Sequence, residues 1–458
     1  MRNNVRRLAY ILLVGLAAVC VYLALIPVYI NHITKSGAAL ADPRIAAGEN
    51  RIQRGAILDR HGAVLARSVP AENGYQREYP LGGAAAHIVG YYSNKYGAAG
   101  LEKSMARVLL GLEGGSKIIN LRNRILGRPG VGNDITLTVD AGLQQYAAKL
   151  LAGKKGAVVV LDPATGEVLA LASSPAFDPL QPAKYIDDAE APLLNRALQG
   201  AYPPGSIFKI ITAAAVLADL PGMAGDTIKC TGKLTVNGFT LHDNAVHGPV
   251  DFGEAFTKSC NVAFGRYGLA LGAGEFLKQV TAFGIGKSID FELPVYAGNI
   301  TPAGEMDGPT LASSAIGQGE VLVTPLHAAL LAGAVANDGV IMQPYLVAGY
   351  RGRGGSSSRR HPEEWRRAMT PAVAAALREQ MINVVRQGTG RAAALPGVTV
   401  AGKTGSAENP HGKSHAWFVG FAPAEEPRVA VAVLLENAGS GGSAAAPLAR
   451  EIIRKALQ

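Results

Sequence analysis

Residues 140–458 are predicted to form an α+β domain, on three observations. Strand-like runs stand at both ends of this stretch, its middle reads mainly as helix, and the last three runs are joined by short loops. The early runs are 156–161 and 167–172, about the turn Asp162-Pro163-Ala164-Thr165-Gly166; the late ones are 398–404, 417–422 and 429–435. Short connections argue for antiparallel pairing. The early runs must then return to the same sheet around a helical insert.

Ahead of that domain, residues 8–30 carry no charged side chain. As a helix such a run is about 35 Å long and spans a hydrocarbon core of about 30 Å. Pro27 is tolerable near its end. Arg2, Arg6 and Arg7 precede it, which puts the N-terminus in the cytoplasm and the rest outside. Ala39-Leu40-Ala41 has the form of a cleavage site, but the apolar run is too long and this site too far beyond it for a cleaved signal. Residues 1–31 are therefore expected to be a tail and single-pass anchor, and residues 32–139, Gly- and Ala-rich with short strand-like runs such as 55–66, a small membrane-proximal domain.

The 458 residues have room for two or three domains, and 48% apolar with 17% charged residues is globular composition. The net charge of +9 comes from scattered basic residues without an aromatic-plus-basic motif. That excludes a nucleic-acid module and reads as a solvated cationic surface. The densest basic stretch, Arg351, Arg353, Arg359, Arg360, Arg366 and Arg367 with Gly and Ser between, is expected to be a mobile surface loop.

Ser206 is the only serine with a lysine three residues on, Lys209. Pro203-Pro204-Gly205 reads as a turn into an apolar helix over 207–218, and positions i and i+3 share a helix face. The Lys209 amine then lies within reach of the Ser206 hydroxyl, the arrangement of an activated nucleophile. Alone the pattern is weak, since a chain of this length carries about one or two by chance. Order and company raise its weight: Ser259-Cys260-Asn261 follows, then Lys403-Thr404-Gly405. A second K-S-G, Lys35-Ser36-Gly37, precedes the nucleophile, has no strand pattern and is read as coincidence.

This ordered set resembles the penicillin-recognising serine acyltransferases. Also similar to their transpeptidase domain are 156–170, Gly317-Gln318-Gly319 with Thr324-Pro325-Leu326, Gln387-Gly388-Thr389-Gly390, and Ala416-Trp417-Phe418-Val419-Gly420-Phe421-Ala422-Pro423. Arg54-Gly55, Asp59-Arg60 and Gly100-Leu101-Glu102 resemble the membrane-proximal, dimerisation-like pedestal of class B penicillin-binding proteins, where a structural role is expected of them. About a hundred residues there are too few for the glycosyltransferase of the bifunctional class A relatives. A monofunctional protein is expected, with no further domain after the last helix, 447–457.

The resemblance implies a β-lactamase/transpeptidase-like fold, an antiparallel sheet flanked by helices plus an all-helical subdomain. It implies a bacterial membrane enzyme that cross-links peptidoglycan stem peptides ending in D-Ala-D-Ala, is acylated by β-lactams, and works with a SEDS-family membrane glycosyltransferase in a cell-wall complex. Ser206 would attack, Lys209 accept its proton, Ser259 relay that proton to the leaving D-alanine, and Asn261 hold a substrate amide and contact Lys209. Lys403 would face the substrate carboxylate as a fixed charge, with Lys403 and partial burial lowering the Lys209 pKa. Thr404 and Ser406 would hydrogen-bond that carboxylate, and Gly405 would leave room for the substrate. Backbone N–H groups of Ser206 and Ser406 would form the oxyanion hole. No cofactor is implied. The alternatives are a D,D-carboxypeptidase, which uses water as acceptor, and a non-catalytic β-lactam sensor or scaffold.

The remaining candidates read as structural. His415 is expected at a strand edge, Trp365 with Glu363-Glu364 at a surface helix start, and Gly439-Ser440-Gly441-Gly442-Ser443 in a loop before the last helix. Cys260 stands where class A β-lactamases carry aspartate, and Ser406 where many relatives carry threonine. Cys230 and Cys260 could pair outside the cell or stay as small buried residues, and neither has the company of a metal ligand set.

Overall fold

The computed structural model describes residues 6, 7, 10, 12–22, 52–72, 74–93, 95–113, 116–126, 129–410 and 412–458. Residues 8, 9, 11 and 23–30 of the expected anchor, with Arg2, Lys35-Ser36-Gly37 and Ala39-Leu40-Ala41, lie outside them. Among the described residues no helix is long and apolar enough to cross a membrane.

Five strands build the central sheet: β1 (Gly156–Leu161), β2 (Val168–Ser174), β3 (Ala401–Ala407), β4 (His415–Ala422) and β5 (Val429–Leu435). Their order is β3-β4-β5-β1-β2, antiparallel throughout, so the early pair does return beside the late three. Strands β1 and β5 are buried at every position, because helices cover both faces. Val159, Leu161, Ala432 and Leu434 join one apolar cluster, and their sequence neighbours Val158, Val160, Val431 and Val433 join the other. Strand β3 starts three residues late because Val398 bridges back to Leu395 in a tight turn.

Between the early and late strands run α1 (Lys209–Asp219), α2 (Phe252–Lys258), α3 (Asn261–Ala282, interrupted at Gly272), α4 (Pro325–Ala336) and α5 (Pro371–Arg386); α6 (Gly441–Ala456) closes the chain. The middle is not purely helical. Ile228–Cys230 pairs with Gly248–Val250, and Lys233–Val236 with Phe239–His242.

Three expectations are corrected. The basic stretch is not a mobile loop: Val347–Arg351 and Ser357–Arg359 are strands of a six-stranded sheet that also holds Asp134–Leu137, Ile57–Leu58, Val64–Ala71 and Gly74–Glu78. Composition could not find this, because one pairing partner of Tyr350 is Ile135, far back in the chain. Trp365 lies on a strand, Glu364–Arg367, and not at a helix start. The last helix begins at Gly441 with Pro447 inside it, so the glycine-serine run is half loop and half first turn.

Of the residues singled out between 54 and 102, Arg54, Gly55, Asp59, Leu101 and Glu102 are buried, whereas Arg60 is exposed. Glu102 is fully buried and accepts from Arg54 Nε at 3.1 Å and Arg77 Nε at 2.8 Å, so they hold that region together.

Candidate active site

Ser206 lies in the 3-10 turn Gly205–Phe208, which runs directly into α1. The turn is fixed from two sides. Gly205 N–H donates to Gly317 O at 2.8 Å, and Trp417 Nε1 donates to Pro203 O at 3.0 Å. Gly205 has φ +55, and a Cβ there would sit 2.9 Å from Ser406 O. This close approach brings the turn that bears Ser206 against strand β3, which carries Lys403, Thr404, Gly405 and Ser406.

Ser259 and Cys260 form the joint between α2 and α3. Ser259 is left-handed at φ 61, ψ 40, an uncommon state for a residue with a Cβ, and it is nearly buried. Its hydroxyl sits between two lysines: Lys403 Nζ donates to Ser259 Oγ at 2.8 Å and Lys209 Nζ at 3.4 Å. Lys209 Nζ also donates to Ser259 O at 2.6 Å and Asn261 Oδ1 at 2.7 Å. Asn261 Nδ2 in turn donates to His242 O at 3.0 Å on the neighbouring hairpin. Three remote stretches thus converge on one hydroxyl.

Both lysines are fully buried, over the rings of Phe264 and Phe256 respectively. Burial disfavours an ammonium, and it pulls Lys209 down to about 7 against the opposing pull of Asp243 and Cys260. Lys403 is held well below the usual lysine range, by burial and then by the charge of Lys209. The expected fixed charge at Lys403 is therefore conditional, because two buried ammonium groups sharing one hydroxyl repel each other.

Other side chains depart from expectation. Lys209 makes no hydrogen bond to Ser206 Oγ, its donors being turned to Ser259 and Asn261; catalytic contacts often tighten only when a substrate is bound. Ser406 Oγ accepts from Gly441 N–H at 3.2 Å, and Thr404 Oγ1 lies 2.5 Å from Thr389 Oγ1. His415 is where it was expected, at the head of strand β4, and its Nδ1 accepts from Asn437 N–H.

The cysteines are the clearest miss. Both are buried free thiols, and they have the ligand company that the sequence seemed to deny them. Asp243 and His247 meet Cys230 and Cys260 with all four ligand atoms within 4.8 Å of one another. A D-x-x-x-H pair between two cysteines was the available signal.

Residues 156–454 match the penicillin-binding protein transpeptidase domain, and residues 54–135 the penicillin-binding protein A dimerisation domain. The chain belongs to the penicillin-binding protein transpeptidase family. Across its whole length it is 36% identical to the peptidoglycan D,D-transpeptidase PbpA of Mycolicibacterium smegmatis, covering 99% of that relative. Among solved penicillin-binding proteins it resembles penicillin-binding protein A from M. tuberculosis in a ceftriaxone acyl-enzyme complex, with TM-score 0.85, 34% identity, and 90% and 100% of the two chains covered. It is also similar to the penicillin G acyl-enzyme of that protein, with TM-score 0.83, 34% identity, and 89% and 100% covered.

Proposed function

We propose that the protein is a class B peptidoglycan D,D-transpeptidase, which cross-links stem peptides through an acyl-enzyme on Ser206 and is acylated there by β-lactams. The observation that carries this reading is the Ser259 hydroxyl held between Lys209 and Lys403, beside the turn that bears Ser206.

Ser206 Oγ attacks the carbonyl carbon of the penultimate D-alanine while its proton passes to the neutral Lys209 amine. The tetrahedral intermediate collapses by breaking the C–N bond to the last D-alanine. Ser259 relays the proton from Lys209 to that departing nitrogen. An amine of a second stem peptide then attacks the ester, gives up its proton along the same relay, and restores Ser206. Backbone N–H groups of Ser206 and Ser406 face the oxyanion, a contact worth about 3 kcal/mol or more per donor in other enzymes. Asn261 holds a substrate amide, and Gly405 leaves room for the peptide. Thr404 and Ser406 bind the terminal carboxylate, whose negative charge restores the ammonium of Lys403.

Residues 1–31 serve as tail and membrane anchor, 32–139 as pedestal and 140–458 as catalytic domain. The N-terminus is cytoplasmic and the catalytic domain extracytoplasmic, beside a SEDS-family glycosyltransferase in a cell-wall synthesis complex. Support comes from the charge-free run 8–30 and from the arginines before it.

The test is to incubate the full-length protein in detergent with a D-Ala-D-Ala stem peptide and an amine acceptor. Amide product supports the transpeptidase. Free acid alone assigns a carboxypeptidase, and release of no D-alanine overturns both.

A further inference from the structure

In the pedestal, the helix Lys117–Ile125 is held down by polar side chains and turns apolar ones outward. Asn120 Nδ2 donates to Val131 O at 2.9 Å, Asn120 Oδ1 accepts from Val131 N–H at 2.8 Å, and Asn123 Nδ2 donates to Pro129 O at 3.1 Å. With buried Ser116, these two asparagines recur at helical spacing and mark the attached face. Turned away from it are Arg122, Ile125 and Leu126, at i, i+3 and i+4; Leu126 belongs to the same turn, since its N–H donates to Arg122 O at 3.0 Å. All three are exposed, Ile125 at 77% and Leu126 at 54%. A surface helix ordinarily shows the reverse, apolar inward and polar outward. Two adjacent large aliphatic side chains left in water mark a contact with something outside the chain.

Charge and position say what that is. Residues 114–133 hold Lys117, Arg122, Arg124 and Arg128 and no Asp or Glu. The acids flanking the segment are engaged elsewhere: Glu113 pairs with Arg107, and Asp134 Oδ1 accepts from Ala56 N–H at 2.6 Å. Arg353 N–H donates to Ser116 Oγ at 3.2 Å, which brings the exposed Arg353 beside the start of the helix. At the other end, Gln53 bridges to Val131: Gln53 N–H donates to Gly130 O at 3.0 Å, and Gly132 N–H to Gln53 O at 2.8 Å. The chain therefore comes into the pedestal next to this helix, with only residues 31–52 between that point and the charge-free run 8–30.

We propose that the Lys117–Ile125 helix docks on the surface of an anionic phospholipid bilayer, with Ile125 and Leu126 among the upper acyl chains and Arg122 at the phosphates. This rests on the reading of residues 8–30 as a membrane anchor. Apolar side chains rimmed by positive charge are the composition of interfacial helices, which bury their apolar face about 5 to 10 Å into the headgroup boundary. The anchor supplies a high local concentration, so a small patch suffices where it could not hold a free protein. Attraction to anionic headgroups fades within a Debye length, so only basic residues close against the surface contribute. Docking adds a second point of attachment and sets the tilt of the pedestal. Because Val347–Arg351 pairs with Asp134–Leu137 in the pedestal's sheet, that tilt passes to the catalytic domain.

The test uses the full-length protein in vesicles, carrying one thiol-linked fluorophore, with nitroxide quenchers placed shallow or deep on the lipid acyl chains. Cys230 and Cys260 are buried, so the label reports Cys20 in the wild type and position 126 in Cys20→Ser/Leu126→Cys. Cys20→Ser/Leu180→Cys, labelled at an exposed site of the catalytic domain, is the control. In phosphatidylcholine with about one-third phosphatidylglycerol, the shallow quencher should dim the probe at 126 about twofold and leave that at 180 unchanged. Adding Arg122→Glu, or raising the salt to about 1 M, should remove most of that quenching. The label on Cys20, dimmed most by the deep quencher, separates two failures. Quenching at 20 without quenching at 126 overturns the docking and leaves the anchor standing, whereas quenching at neither overturns both. Equal quenching at 126 in vesicles of phosphatidylcholine alone overturns the assignment to anionic lipid. Quenching at 126 that appears only when a second membrane protein is added gives the face to that protein and overturns the docking on lipid.

Discussion

Lys403 and Ser259 meet at 2.8 Å, yet the two walls of the cleft that bring them together are held by different forces. Lys403 rides on strand β3, paired with β4 in unbroken register from Ala401↔Phe421 to Ala407↔His415 and backed by α6. Ser259 rides on a two-residue joint between helices, in a left-handed conformation, above a cluster of polar and thiol side chains. The first wall is part of the buried central sheet. The second is positioned locally, so small changes there reach the chemistry directly while changes in the sheet reach it through stability.

The largest expected break falls on the Ser259 wall. Lys209→Met removes the proposed base and both bonds to Ser259 O and Asn261 Oδ1, and should slow penicillin acylation by about two to four orders of magnitude. Stopped-flow acylation of purified wild type and variant checks this.

Next comes pH. Lys209 is depressed to about 7, so its amine is neutral above that pH and protonated below it. The acylation rate should level off above about 7 and fall about tenfold per unit below it. A flat profile from pH 5 to 9 would mean that Lys209 does not take the proton.

On the sheet side, Gly441→Ala would place a Cβ 2.2 Å from Trp417 O and 2.3 Å from Gly405 O. Parting α6 from β3 and β4 should cost about 1 to 3 kcal/mol, read as a lower thermal midpoint. Acylation of the fraction that remains folded should change far less than in Lys209→Met. Equal losses of rate in the two variants would erase the distinction between the walls. Thr389→Val is the mildest probe: it removes a hydrogen bond to Thr404 worth about 1 kcal/mol, and should slow acylation by about fivefold.

The same contrast explains what could be read from the sequence. Ser206/Lys209, Ser259/Asn261 and Lys403/Thr404 are short contiguous motifs, and strands β1 and β5 are unbroken apolar runs, so local pattern suffices for both. Sheet membership of Val347–Arg351 was hidden, because β pairing with Asp134–Leu137 leaves no local mark in a Gly- and Arg-rich segment. Asp243 and His247 were hidden for a similar reason. They gain meaning only when a hairpin folds back under α3 and brings Cys230 to Cys260. The downward shift of Lys209 was legible, with burial among its expected causes, but that of Lys403 was not: burial dominates at both, and the repulsion is felt at Lys403.

The most direct measurement is peptide mapping by mass spectrometry after the full-length protein has reacted with penicillin. The account predicts a single covalent adduct, on Ser206, that is absent in Ser206→Ala. An adduct on another residue, or none on a folded protein, would contradict it.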